Sequence, residues 1–156
     1  MKKNSTKLTN ALIFIGIIFL VLSLIMMLKN IKASNHIVAI NYNEYKEKIN
    51  EDNYNIILLT LPTCVHCKSY KEKVNSVADE YNLIIYELNI NSLSYNEYIE
   101  IHDKYTVTKN TYSDNYPSIL TPVTIITKGE KEITSISNDI GYNGFIKLLK
   151  ENKIVK

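Results

Sequence analysis

Residues 55–61 read NIILLTL, a continuous apolar run that stops at Pro62. A strand with one wet face alternates polar and apolar residues; this one does not, so both of its faces must be covered. The flanking segments fit a layered α/β chain. Residues 36–40 (HIVAI) read as a first short strand, and residues 44–51 as a helix capped by Asn43 with Tyr45 and Ile49 on one side. Residues 64–82 place Tyr70, Val74, Val77 and Tyr81 at helical spacing, 83–88 (LIIYEL) form the next strand, and 94–105 the next helix, with Tyr98, Ile101 and Tyr105 together. Residues 106–118 are polar and aperiodic, which predicts a loop. Residues 119–127 (ILTPVTIIT) form a strand interrupted near its start by Pro122. A turn at 128–130 leads into the alternating strand 131–137, and 142–152 closes the chain as a helix carrying Phe145, Leu148 and Leu149. The order is βαβαβαββα. Helical crossovers require parallel pairing and the final tight turn requires antiparallel pairing, so the sheet is mixed.

The only two cysteines stand in the motif Cys64-Val65-His66-Cys67, where the buried strand has ended and a helix begins. Free N–H groups and the positive end of the helix dipole stabilise a thiolate at Cys64. Cys67, one turn on, is shielded by the helix and within disulfide reach, so the pair offers an attacking and a resolving thiol. Three plainer readings stand beside this one. A structural disulfide across two residues would close too small a loop to add much stability. A zinc site needs two more ligands, and beyond His66 there are only His36 and His102, in no ligand spacing. Two inert buried thiols are the third. His36 and His102 read as ordinary surface or core residues, and the motifs call for no metal or organic cofactor.

From residue 36 to the C-terminus the chain resembles the thioredoxin superfamily. The likeness rests on the C-x-x-C opening the second helix, on Thr121-Pro122 at the start of the penultimate strand, and on Gly141 followed by Gly144-Phe145-Ile146-Lys147-Leu148-Leu149 in the last helix. It implies a thioredoxin-like fold, a cis-Pro122 facing Cys64, and main-chain pairing of Thr121 with an extended substrate, with Val65 as a further substrate-side residue. The stretch around 61–68 also resembles small exported thioredoxin-like proteins of the bacteriocin-transport-accessory type. Departures accompany the likeness. Thioredoxin's Trp and Gly-Pro are replaced by Thr63 and Val65-His66, its buried Asp by Leu58, and its Lys in the next strand by Glu87; the loop 106–118 is longer. Glu87 is either a candidate proton relay to Cys67 or a solvated carboxylate at a strand end. His66 resembles the inner residue of the oxidising members: a protonated His there stabilises the Cys64 thiolate and raises the potential above about −270 mV, towards about −120 mV.

Residues 11–28 carry no charge, and residues 8–28 as a helix would span about 31 Å, enough for a hydrocarbon core of about 30 Å. No polar face interrupts the run, which argues against a core helix, and its length and the Lys29 and Lys32 that follow argue against a cleaved signal. The expectation is a cytoplasmic stub and signal anchor over 1–29, a linker over 30–35, and a thioredoxin-like domain over 36–156. Lys2, Lys3 and Lys7 lean the N-terminus towards the cytoplasm and the domain outward. From residue 30 onward 14 Lys face 16 acids, a net of −2, so no positive face marks a nucleic-acid binder. Lys without Arg, with abundant Asn, Ile and Tyr, suggests an AT-rich bacterial coding sequence.

The expected activity is thiol–disulfide exchange: Cys64 and Cys67 as the redox pair, His66 tuning Cys64, and a Cys-bearing exported protein and a resetting redox partner as the molecules met. The rival is a redox-silent thioredoxin-fold module accessory to a secretion or peptide-export system.

Overall fold

In a computed structural model, which describes residues 15–23 and 35–156, the apolar run becomes β2 (Tyr54–Thr60), the middle strand of five. Around it the chain runs β1 (Ile37–Ile40), α1 (Tyr42–Asn50), β2, α2 (Val65–Tyr81), β3 (Ile85–Asn89), a 3₁₀ turn at Ile90–Ser92 and α3 (Tyr95–Lys104). It continues through β4 (Tyr112–Ser113), β5 (Tyr116–Pro117), β6 (Val123–Lys128), β7 (Lys131–Ser137) and α4 (Gly141–Glu151). The sheet order is β1-β3-β2-β6-β7, parallel from β1 through β3 to β2 and antiparallel from β2 through β6 to β7.

Strand alternation divides the core in two. Ile56 and Leu58 point to the face covered by α2 and α4, where they meet Tyr70, Val74, Phe145 and Leu149. Ile57 and Leu59 point to the opposite face, against Tyr45, Ile49, Ile101 and Tyr105 of α1, α3 and the residue after it. Each such fully buried aliphatic side chain contributes about 1.5–3 kcal/mol. Two hydroxyl pairs tie the layers together: Tyr70 and Thr124 share a hydrogen bond of 2.9 Å between α2 and β6, and Tyr45 and Tyr105 share one of 2.5 Å beneath α1.

Local chemistry sets the ends of the helices. α1 starts two residues earlier than expected. Asn41, not Asn43, holds it, accepting from the Glu44 N–H at 3.0 Å while the Glu44 carboxylate accepts from the Asn41 N–H at 2.7 Å. α2 ends on Asn82 in the left-handed region, φ 51°. The stretch expected to be a loop contains the small β4–β5 hairpin, turned by Asp114 and Asn115 at φ 50° and 67°. Its neck is tied: the Ser118 N–H donates to the Thr111 carbonyl at 2.9 Å, and the Ile119 N–H to the Tyr98 hydroxyl at 2.7 Å. The following strand begins at Val123 rather than at 119, because residues 119–122 curve past the start of α2 before joining the ladder.

The chain divides into two units, Met1–Ala33 and Ser34–Lys156. In the first, residues 15–23 are helical with exposed side chains. Among the described residues no helix is long and apolar enough to cross a membrane; the rest of the 8–28 segment lies outside them.

Candidate active site

The connection from β2 into α2 is a tight turn, closed by the Cys64 N–H donating to the Leu61 carbonyl at 3.1 Å. Cys64 is the N-cap of α2. Its sulfur stands where a capping oxygen would, accepting the Cys67 N–H at 3.0 Å, so the first turn's free N–H groups point at it. Cys64 and Cys67 are joined by a disulfide, with Cα atoms 5.2 Å apart. The two sulfurs are unequal: Cys64 is half-buried and Cys67 is 2% exposed.

Across from Cys64 lies the Thr121–Pro122 bond, which is cis, with the Thr121 carbonyl oxygen 3.7 Å from Cys64 Sγ. That segment is fixed from behind by β7. The Asn138 N–H donates to the Pro122 carbonyl and the Ser137 hydroxyl to the Leu120 carbonyl, each at 2.9 Å. Val65 is 79% exposed and Leu120 62% exposed, leaving two aliphatic side chains on the rim.

Two hollows flank the disulfide. One, of about 240 Å³, is lined by His66, Thr121, Pro122, Asn138 and Asp139. Sequence reasoning missed Asp139, which reaches His66 only through the fold; the Asn-Asp before Gly141 marks a turn but not its neighbour. Its carboxylate accepts from Lys73 Nζ at 2.5 Å and from the Gly141 N–H at 2.8 Å. Burial works against its charge, but these two bonds, with the charges of Lys73 and His66, hold the carboxyl below the usual range.

The second hollow, of about 380 Å³, lies on the Cys67 side, and Thr60, Lys68, Lys71 and Glu87 are among the residues around it. Glu87 is no solvated strand-end carboxylate. It sits in mid-strand with its side chain 16% exposed, bound by Lys71 Nζ at 2.8 Å to both oxygens and by the Thr60 hydroxyl at 2.7 Å. In the β2–β3 register it stands opposite Leu58.

The structure thus brings Cys64, Cys67, His66, Val65, Thr121, Pro122 and Glu87 to one end of the sheet. The other histidines are elsewhere. His36 contacts the Leu83 carbonyl at 2.8 Å and Asp79 at 3.1 Å. His102 is buried between Asp103 at 2.7 Å and the Thr111 carbonyl at 2.8 Å. Among the described residues no group of three or more His, Cys, Asp or Glu could hold a metal ion.

No family model matches the chain, and no curated protein matches it in sequence. Solved structures do match in shape. Thioredoxin f2 from Chlamydomonas reinhardtii superposes with a TM-score of 0.60 at 9% identity, over 77% of this chain and 99% of that one. The short form of spinach chloroplast thioredoxin f gives 0.57 at 14% identity, over 76% and 95%. Oxidized mitochondrial thioredoxin 3 from Saccharomyces cerevisiae gives 0.54 at 16%, over 76% and 99%. The fold is thioredoxin-like, an α/β fold with a mixed sheet.

Proposed function

We propose that the chain is a membrane-tethered thiol–disulfide oxidoreductase acting on Cys-bearing exported proteins. The observation that carries this reading is a disulfide at a helix N-terminus, its outer sulfur 3.7 Å from the carbonyl before a cis-Pro. An incoming substrate thiolate attacks Cys64, the Cys64–Cys67 bond breaks, and a mixed disulfide forms while Cys67 leaves as thiolate and takes a proton. A second substrate thiolate then displaces Cys64. Two electrons and two protons have passed to the pair, and a separate redox partner returns it to the starting state; run backwards, the same steps reduce a substrate disulfide. Thr121 and Pro122 hold the extended substrate, Val65 contacts it from α2, and His66 favours the Cys64 thiolate and so a raised potential. Residues 8–28 anchor the chain in a bilayer with Lys2, Lys3 and Lys7 on the cytoplasmic side.

The test is the reduction potential of the full chain in detergent, equilibrated with glutathione. A value between about −120 and −200 mV makes it an oxidase or isomerase, and one near about −270 mV a reductase. A pair that forms no reversible disulfide, or exchange rates unchanged by Cys64→Ala, sinks the enzyme reading in favour of a binding module. A topology reporter fused after Lys156 tests the outward orientation, and activity of a cytoplasm-restricted reporter would overturn it.

A further inference from the structure

Cys67 must give up a proton each time it closes the ring on Cys64, yet it is 2% exposed, and burial disfavours a thiolate. The hollow on its side holds one carboxylate among the described residues, Glu87, with the cations Lys68 and Lys71. We propose that Glu87, clamped by Lys71 and Thr60, is the proton acceptor for Cys67, and that Lys71 is the positioning residue that controls it. This rests on the oxidoreductase reading above.

The placement is specific. Glu87 lies on the strand beside β2, at the register position of Leu58, and turns towards α2. Lys71 stands one turn after Cys67 on α2 and binds both carboxylate oxygens; Thr60 binds one of them from β2. The carboxylate is therefore held from two elements in a fixed orientation at the wall of the cavity that Cys67 also lines. A third hollow, of about 420 Å³, shares Lys68, Lys71 and Glu87 with the one beside Cys67 and continues past Glu72 and Asn75. Glu87 thus lines both the hollow that Cys67 lines and the groove beyond it.

The step balances. With Cys64 in a mixed disulfide, Glu87 takes the proton from the Cys67 thiol. The Cys67 thiolate attacks Cys64 Sγ, the Cys64–Cys67 bond forms, and the partner's sulfur leaves with the bonding electron pair. Glu87 returns its proton to water along the third hollow. The charges that face it are Lys68, Lys71 and Glu72, all from α2.

The experiment mixes the reduced full chain with one equivalent of 5,5′-dithiobis(2-nitrobenzoate), in detergent, across a range of pH. Cys64 attacks first and releases one coloured thiolate; Cys67 then releases the second. Glu87→Gln is expected to slow the second release about ten-fold and leave the first unchanged. That is less than the full general-base range, because a thiol is already a few per cent ionised near neutrality. Lys71→Met slows the second release and leaves the first unchanged, since the carboxylate loses the two bonds that orient it. Lys68→Met removes a charge from the same hollow without touching the bonds to Glu87, and slows the second release less than Lys71→Met does. A second release in Glu87→Gln that matches wild type at every pH overturns the proposal. Should that variant fail to fold, a second release in Lys71→Met as fast as in wild type overturns it instead. Absence of the first release in wild type would instead count against the oxidoreductase reading.

Discussion

The hydrogen bond between Tyr70 and Thr124 joins the helix that carries the disulfide to the strand that follows Pro122, so cutting it tests how the two sides of the site are held. Tyr70 is 0% and Thr124 1% exposed, and their hydroxyls are 2.9 Å apart. Tyr70→Phe keeps the ring against Phe145 (centroids 6.4 Å apart) and removes only the oxygen. The loss is then one net hydrogen bond plus the desolvation of a Thr124 hydroxyl left without that partner, about 1–3 kcal/mol. For a domain of this size that lowers Tm by about 4–10 °C. Thr124→Val strands the phenol in the same way and is expected to cost a similar amount. In the double variant no hydroxyl is left unpaired and the volume is nearly conserved, so its cost falls below the sum of the singles by about 1–2 kcal/mol. Thermal melts and urea titrations of the oxidised chain, followed by circular dichroism, give all four corners of the cycle. Single variants within about 0.3 kcal/mol of wild type, or a double variant equal to the sum, would refute the reasoning.

Three further outcomes are expected. The Tyr70 phenol is pushed up to about 12, chiefly by burial, and burial likewise raises Tyr45 and Tyr105 from the usual 10.0. The folded state therefore holds these protons longer than the unfolded chain. That stability is whole below pH 10 and declines between pH 10 and about 12, which urea midpoints on either side of pH 10 will register. Asp139 has the opposite sense: its lowered carboxyl contributes stability that is present above about pH 4 and lost as pH falls below it. Asp139→Asn should therefore flatten the acid limb of the stability profile, and a limb identical to wild type would show that its bonds to Lys73 and Gly141 contribute nothing. Asn41→Ala costs about 1 kcal/mol by unfolding titration, whereas Asn43→Ala, inside the first turn of α1 and exposed, stays within about 0.5 kcal/mol; the reverse ranking would return the cap to Asn43.

What the chain revealed before folding follows how far apart the partners lie. The run 55–61 and the Cys64–Cys67 spacing each carry their meaning within a few residues, and the middle strand and the disulfide are found where those signals put them; the cis bond before Pro122 stands where the family resemblance implies it. Lys71 and Glu87 are 16 apart, and Lys73 and Asp139 are 66 apart, so their pairing exists only once β3, α2 and the turn after β7 are assembled. The β4–β5 hairpin escaped for a different reason. Two residues per strand are too few to alternate, and its turn is made by Asp114-Asn115, without the glycine that usually marks such turns. The cap of α1 shifted because two asparagines stand two residues apart and only Asn41 has a Glu three places on.

That hairpin has a consequence for engineering. Its two ends meet at Thr111 and Ser118, and that junction is locked to the body by Tyr98 and by His102, which contacts the Thr111 carbonyl at 2.8 Å. Tyr112 still packs its ring on His102, with centroids 5.5 Å apart, so the hairpin tip, residues 113–116, is the part whose length the fold counts least. A tag, a fluorophore or a recognition peptide can be grafted there, on the segment that leads into Thr121, with its attachment points already fixed. An unchanged melting temperature in a chain carrying a longer graft is the sign that the port is independent of the core.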